Sequence, residues 1–275
     1  MGVEEQVAEH YSRSDLEQAI LAALRTVGKD VEHLVSADLA GADEFHTGWK
    51  AATVEIARDL GLAPDMRVLD IGSGLGGPAR YFAEAHHCRV DGIDLTADFV
   101  DCANGLTRRC GLADRVRFQR ASALALPFEG RCFDRATLIH VGMNVEDKAG
   151  LFAEARRVLK PGGLFCVYDI MRMTPDEIPY PMPWAGSVET SFVEPPETYR
   201  ALLTAAGLEI EQEHDRREFA LALWRQMREG AARHGPPALS LHILMGPATP
   251  ERLGNVMATL EAGTIAPVEM VARAG

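Results

Sequence analysis

Basic residues, cysteines and long apolar runs are all in short supply in this chain. Lys and Arg number 28 against 40 Asp and Glu, giving a formal net charge of −12. A dedicated nucleic-acid binder needs a basic face to displace counterions, so that class is disfavoured, although a local basic pocket stays open. The five cysteines, Cys88, Cys102, Cys110, Cys132 and Cys166, are odd in number, and no two are spaced as CxxC. They fit reduced, mostly buried thiols rather than a disulfide framework. No Cys/His cluster has zinc-ligand spacing, so no metal is expected. No apolar run approaches the ~18 residues of a membrane span. Residues 1–11 carry Glu4, Glu5 and Glu9 where a signal peptide would begin with basic residues. The expected setting is therefore the cytoplasm, with neither membrane nor nucleic acid as partner. Repeats and low-complexity tracts are absent too, which excludes solenoids.

What is present suits a soluble globular protein. The 275 residues are 47% hydrophobic and 25% charged, enough for a real core without staples. Ser14 and Glu17 form a capping-box pattern ahead of Leu16, Ile20, Leu21 and Leu24 at helical spacing, closed by Gly28. A second helix is expected at 47–60, closed by Gly61. From there strands alternate with helices: strands at 67–71, 89–93, 116–120, 133–140 and 164–169, helices at 78–85, 96–110 and 146–159. Lys160-Pro161-Gly162-Gly163 reads as a turn before the fifth strand. Residues 173–196 then hold six prolines with Tyr180, Trp184 and Phe192, an ordered insertion or lid. Helices at 197–206 and 217–233 and strands at 208–215 and 265–273 complete the chain, while 236–252 gives no reading. Such alternation implies an α/β fold, a doubly wound, mostly parallel, seven-stranded Rossmann-like sheet. Its expected division is an N-terminal helical cap, 1–60, and a main domain, 61–275, carrying the lid. The long late helix could support a homodimer.

The strongest local signal is Asp70-Ile71-Gly72-Ser73-Gly74-Leu75-Gly76-Gly77 at the end of the first strand. Glycines let the chain turn tightly and let a ligand approach the backbone of a helix N-terminus. Gly72, Gly74 and Gly77 also satisfy the dinucleotide spacing G-x-G-x-x-G, so a NAD-dependent oxidoreductase is one reading. Asp94, ending the second strand beside Leu95, can accept hydrogen bonds from a ribose hydroxyl pair. Asp70 separates the cofactors. A carboxylate two residues before the first glycine hinders phosphate but favours a cation, and S-adenosylmethionine carries an α-ammonium and a sulfonium.

Residues 67–173 resemble the class I S-adenosylmethionine-dependent methyltransferases. The likeness rests on the glycine segment, on Asp94, on Leu126-Pro127-Phe128 with Cys132-Phe133-Asp134, and on Arg157-Val158-Leu159-Lys160-Pro161-Gly162-Gly163. The small-molecule group is most similar, including the glycine/sarcosine and phosphoethanolamine N-methyltransferases and the quinone and tocopherol C-methyltransferases. The resemblance implies S-adenosyl-L-methionine as cofactor and S-adenosyl-L-homocysteine as product. It implies cofactor contacts from Asp70, Gly72, Ser73, Gly74, Gly76, Asp94 and Leu95, with Tyr11 packing over the site. Where the family often has an acid beside an alanine, this chain has Ser122-Ala123. Ser122 could accept from the adenine amino group through its hydroxyl, and the Ala123 amide could serve the ring.

Methyl transfer to nitrogen or oxygen needs a lone pair freed of its proton, work suited to histidine. His140 ends the fourth strand, at the sheet edge where such folds bind ligands. It reads either as a catalytic contact or as a buried, hydrogen-bonded ring. His46 lies in the N-terminal region that closes over the cofactor in the resembling enzymes. Tyr180 and Trp184 could form an aromatic wall that attracts a cation, or pack the lid onto the body. Arg172 could pair with a substrate carboxylate, and Tyr168 could line the floor. The first expectation is methylation of the nitrogen of a small amine or amino acid. The alternatives are O- or C-methylation of a phenolic, quinone or other secondary-metabolite acceptor, the oxidoreductase above, and a non-catalytic cofactor-binding protein.

Overall fold

The computed structural model describes residues 2–235 and 237–275. Met1 and Pro236, which open the expected cap and the unread 236–252 segment, lie outside the described residues. Four helices come first: α1 (Val3–Tyr11), α2 (Leu16–Thr26), α3 (Ser36–Asp43) and α4 (Trp49–Asp59). The alternating region follows as β1 (Arg67–Ile71), α5 (Gly77–His86), β2 (Arg89–Asp94), α6 (Ala97–Arg109), β3 (Val116–Arg120), β4 (Phe133–Ile139), α7 (Lys148–Val158) and β5 (Leu159–Arg172). The chain closes with α8 (Pro196–Ala205), β6 (Leu208–Asp215), α9 (Arg217–His234), α10 (His242–Met245), α11 (Thr249–Ala262) and β7 (Ile265–Ala274).

The strands form one seven-stranded sheet in the order β3-β2-β1-β4-β5-β7-β6. All neighbours are parallel except β7, which runs antiparallel to both β5 and β6. The short β-branched and aliphatic run of β1 is buried from Val68 to Ile71 because helices cover both faces. On one face α7 and α8 bring Leu151, Phe152, Val158 and Leu203. On the other α4 and α5 bring Ile56, Ala57, Phe82 and Ala83. Strand order reverses between β1 and β4, and ligands bind beyond the carboxyl ends of strands at such a switch point. Among the described residues no helix is long and apolar enough to cross a membrane.

Several local expectations change. The Lys160–Gly163 turn is an irregularity inside β5: Leu159 pairs with Phe133, and pairing resumes at Leu164 with Arg135. Gly162, at φ +75°, absorbs the extra residues. The cap of α2 is Asp15, not Ser14, and the Glu17 carboxylate instead accepts from Arg109 Nε at 3.1 Å. Helices α3, α10 and α11 lacked a strong sequence signal. For α11 the signal is a proline in the first turn and a left-handed Gly263 at the end, with widely spaced apolar residues between. The 173–196 insertion is ordered, and its Ile178, Met182, Trp184 and Ala185 are buried with Val256, Met257 and Leu260 of α11.

Candidate active site

A cavity of about 360 Å³ opens at the carboxyl ends of β1, β2 and β4. Helix α1, Phe45 and His46, and Pro183-Trp184 of the insertion cover it. At the β1 end the chain turns through Gly72, Gly74 and Gly76, all with positive φ. A Cβ on Gly72 would collide with the Val141 side chain, and one on Gly76 with Phe118. Gly72, Ser73 and Gly74 line the cavity; Gly76 is instead the left-handed cap of α5.

Two carboxylates face this end. Asp94 accepts the backbone N–H of Gly74 on Oδ2 and that of Thr96 on Oδ1, both at 2.9 Å. Burial raises its carboxyl while those amides work against the rise. Asp70 is 2% exposed. Its Oδ1 accepts from Thr137 Oγ1 at 2.8 Å, and its Oδ2 has no partner among the described residues. Burial pushes this carboxyl up to about 6. The Ser73 hydroxyl is likewise buried without a partner. A buried carboxylate oxygen left unpaired is costly, and a cation beside it removes the cost. The pair therefore fits the α-ammonium of S-adenosylmethionine, while Asp94 fits ribose hydroxyls. Ile93, Leu95, Phe99, Ala123 and Leu124 form the apolar slot beside them.

Ser122 does not face that slot. Its hydroxyl donates to the Glu4 carboxylate and accepts the Leu124 amide at 3.0 Å, a local turn that aims it out of the cavity. Behind the turn, Arg80 is fully buried. Its Nη2 donates to Asp43 Oδ2 at 2.7 Å and to the Leu75 carbonyl at 2.6 Å, and its Nη1 to Thr107 Oγ1 at 3.0 Å. It thereby joins α3, the glycine turn and α6. Arg80→Leu should cost about 3–5 kcal/mol in chemical denaturation, since Asp43 would be left buried and unpaired. A loss below about 1 kcal/mol would deny it that role.

The same cavity holds both predicted histidines. His140 sits at φ +54°, just past β4, a strained conformation for a residue with a Cβ. Its Nε2 lies 3.0 Å from Thr47 Oγ1 and its ring stacks on Tyr168 at 5.3 Å. No described residue hydrogen-bonds its Nδ1, and the residue lines the cavity. Burial, then the neighbouring His46, lowers its pKa well below 6.5, so the ring is neutral at neutral pH. His46 Nε2 lies 2.9 Å from Glu44 Oε2, which also accepts from Thr53 Oγ1 at 2.6 Å. Glu44, Thr47 and Thr53 were given no role from sequence, although Glu44 stands two residues before His46.

Of the four residues predicted for the acceptor, one reaches the cavity wall. Trp184 does so, with its indole N–H donating to Ser191 Oγ at 2.9 Å. Tyr180 packs instead among the side chains buried by the insertion. Arg172 donates to the Asp176 carbonyl at 2.7 Å, off the wall. Tyr168 is buried behind His140, its hydroxyl donating to the Thr47 carbonyl at 2.8 Å. Tyr11 does line the cavity, and its hydroxyl donates to Asn144 Oδ1 at 3.1 Å. Asn144, missed in sequence, donates in turn to the carbonyls of Trp184 and Thr190, tying α1 to the insertion. Among the described residues, no group of three His, Cys, Asp or Glu is placed to hold a metal.

Residues 69–167 match the family model described as a methyltransferase domain. Sterol 24-C-methyltransferase ERG6B of Gibberella zeae is 35% identical over 114 residues, 42% of this chain and 30% of that protein. Erythromycin 3''-O-methyltransferase of Saccharopolyspora erythraea is 35% identical over 129 residues, 45% of this chain and 42% of that protein. The chain thus spans less than half the length of these two relatives. Among solved structures, the cyclase SpnF superposes with a TM-score of 0.69 at 25% identity, covering 98% of this chain and 95% of that one.

Proposed function

We propose that this chain, whose residues 69–167 form a class I S-adenosylmethionine-dependent methyltransferase domain, transfers a methyl group to a hydroxyl oxygen of a small-molecule acceptor. One observation carries this reading: a single cavity joins the unpartnered buried oxygen of Asp70 to the unbonded Nδ1 of His140. When bound, the cofactor supplies an electrophilic methyl on a sulfonium. Asp70 Oδ2 and Ser73 hold its amino-acid end, Asp94 takes the ribose hydroxyls, and Leu95, Ala123 and Leu124 flank the base. The acidic pair and the absence of a lining cation speak against the pyrophosphate of NAD.

His140 works as the base. With Nε2–H donating to Thr47 Oγ1, the lone pair of Nδ1 is free to take the hydroxyl proton as oxygen attacks. The Thr47 hydroxyl, accepting from His140, can in turn donate a long hydrogen bond to the Tyr168 hydroxyl oxygen, 3.5 Å away, which itself donates to the Thr47 carbonyl. That chain supports the tautomer the reaction needs. Methylation of an amine or amino acid leaned on Tyr180 and Trp184 for the cation and on Arg172 for the carboxylate, and of these three Trp184 alone lines the cavity. A hydroxyl acceptor needs only the base.

The likeness to SpnF over 98% of the chain favours one other reading: a retained cofactor site serving a different reaction. Release of S-adenosylhomocysteine separates the two. The purified protein would be offered alcohols and phenols in one panel, amines and amino acids in another, with Asp70→Asn as the blank. The proposal expects release with the hydroxyl panel alone. Release with amines alone would move the methyl to nitrogen, and cofactor binding without release on either panel would favour the second reading.

A further inference from the structure

The charge of the acceptor end can be read from its lining. Six acidic residues border the cavity: Glu4, Asp43, Asp70, Asp94, Glu146 and Asp147. No Lys or Arg is among its described lining residues. The nearby cations are engaged elsewhere. Arg80 binds Asp43 behind the glycine turn. Lys148 Nζ donates to the carbonyls of Val145 and Phe192, 2.8 and 2.6 Å away. Arg252 stands off the wall, its Nη1 3.2 Å from His10 Nε2 and its buried Nε without a partner among the described residues.

The acids are not equivalent. Asp43 is paired with Arg80 through Oδ2, its buried Oδ1 having no partner among the described residues; Asp70 and Asp94 face the proposed cofactor site, Glu4 holds Ser122, and Asp147 caps α7 by accepting the Gly150 amide at 2.9 Å. Glu146 is left, exposed and with no side-chain partner among the described residues. The apolar part of the same lining includes Phe45, Val141, Met143, Val145 and Trp184, with Tyr11 and Asn144 hydrogen-bonded to each other beside them. An anionic acceptor would be desolvated there against like charge, with no cation to pair it.

Building on the hydroxyl-transfer reading, we propose that the acceptor is an uncharged, largely apolar molecule, and that phosphorylated, sulfated and carboxylated relatives are rejected by the lining. The geometry assigns Glu146 as the residue that repels anions at the mouth.

The test is fluorescence titration of two probes with one skeleton, N-phenylnaphthylamine and anilinonaphthalene sulfonate. The full chain is saturated with S-adenosylhomocysteine, with Mg²⁺ present so that a metal-bridged anion has its chance. The neutral probe should bind at least about tenfold more tightly than the sulfonate. Glu146→Lys should narrow that ratio severalfold by improving the sulfonate alone. Equal or tighter sulfonate binding by the wild type would overturn the inference, as would a ratio unmoved by Glu146→Lys or an absence of binding by both probes. Saturation by S-adenosylhomocysteine is checked first by thermal shift. Its failure would bring down the methyltransferase reading itself, whereas saturation followed by sulfonate preference would bring down only the acceptor chemistry.

Discussion

Asp70→Asn is expected to raise the melting temperature of the free protein by about 5 °C while weakening S-adenosylhomocysteine binding by roughly 10²–10³-fold. Both effects come from one buried carboxylate. Burial raises its pKa from 3.8 to about 6. Over that interval the folded protein holds the proton more tightly than the unfolded chain. The neutral carboxyl therefore favours the fold in acid, and its contribution declines as pH climbs from 3.8 through about 6. Above that range the free protein carries a destabilisation on the order of 3 kcal/mol, at about 1.4 kcal/mol per pKa unit. Asn keeps the shape and removes the charge, hence the gain in free-protein stability. The bound cofactor's ammonium meets an ionised Asp70 and offsets the burial, so the same substitution removes the affinity. Differential scanning fluorimetry with and without S-adenosylhomocysteine reads both. A variant no more stable than wild type that still binds the ligand at full strength would place the ammonium elsewhere.

His140→Asn should lower kcat by roughly 10²–10³-fold and leave S-adenosylhomocysteine affinity unchanged. Asparagine suits the variant because it tolerates the left-handed backbone held at position 140, so loss of the imidazole is not confounded by added strain. The pH profile is the sharper check. Burial and His46 lower the His140 pKa well below 6.5, so the base stays neutral and kcat should hold flat from alkaline pH to well below that value. By contrast kcat/KM for the cofactor should begin to fall near pH 6, where Asp70 of the free enzyme takes up its proton. A kcat that tracks an ordinary histidine near 6.5, or one indifferent to the substitution, would return His140 to a packing role.

The alternation of strand and helix was legible because β1 is a short aliphatic run ended by Gly72 and the helices between strands carry apolar residues at helical spacing, both of them local signals. Asp70 and Asp94 were legible for the same reason: each sits at a strand's carboxyl end, and in a parallel sheet that address fixes the side of the molecule. Ser122, Arg172 and Tyr180 have no such fixed address. Ser122 and Tyr180 stand outside the strands and Arg172 is the last residue of β5, and a hydrogen bond to Glu4, to the Asp176 carbonyl or packing against the cluster under the insertion decides which way each points. Tyr168 shows the finer limit. Its place on β5 was right, yet the inward-facing ring spans only to Thr47, and His140 lies over it. Glu44 and Thr53 acquire meaning only once α4 brings them onto His46.

In the proposed reaction one cavity holds the cofactor at Asp70 and frees a hydroxyl for attack at His140. The most direct test supplies S-adenosylmethionine labelled with carbon-13 in its methyl group, with the hydroxyl acceptors, and follows the label by NMR. The account expects the label to move to an oxygen-bound methyl, with one S-adenosylhomocysteine formed for each, and the signal to fade in His140→Asn. A label that stays on sulfur while the acceptor changes, or one that arrives on nitrogen with His140→Asn undiminished, would contradict it.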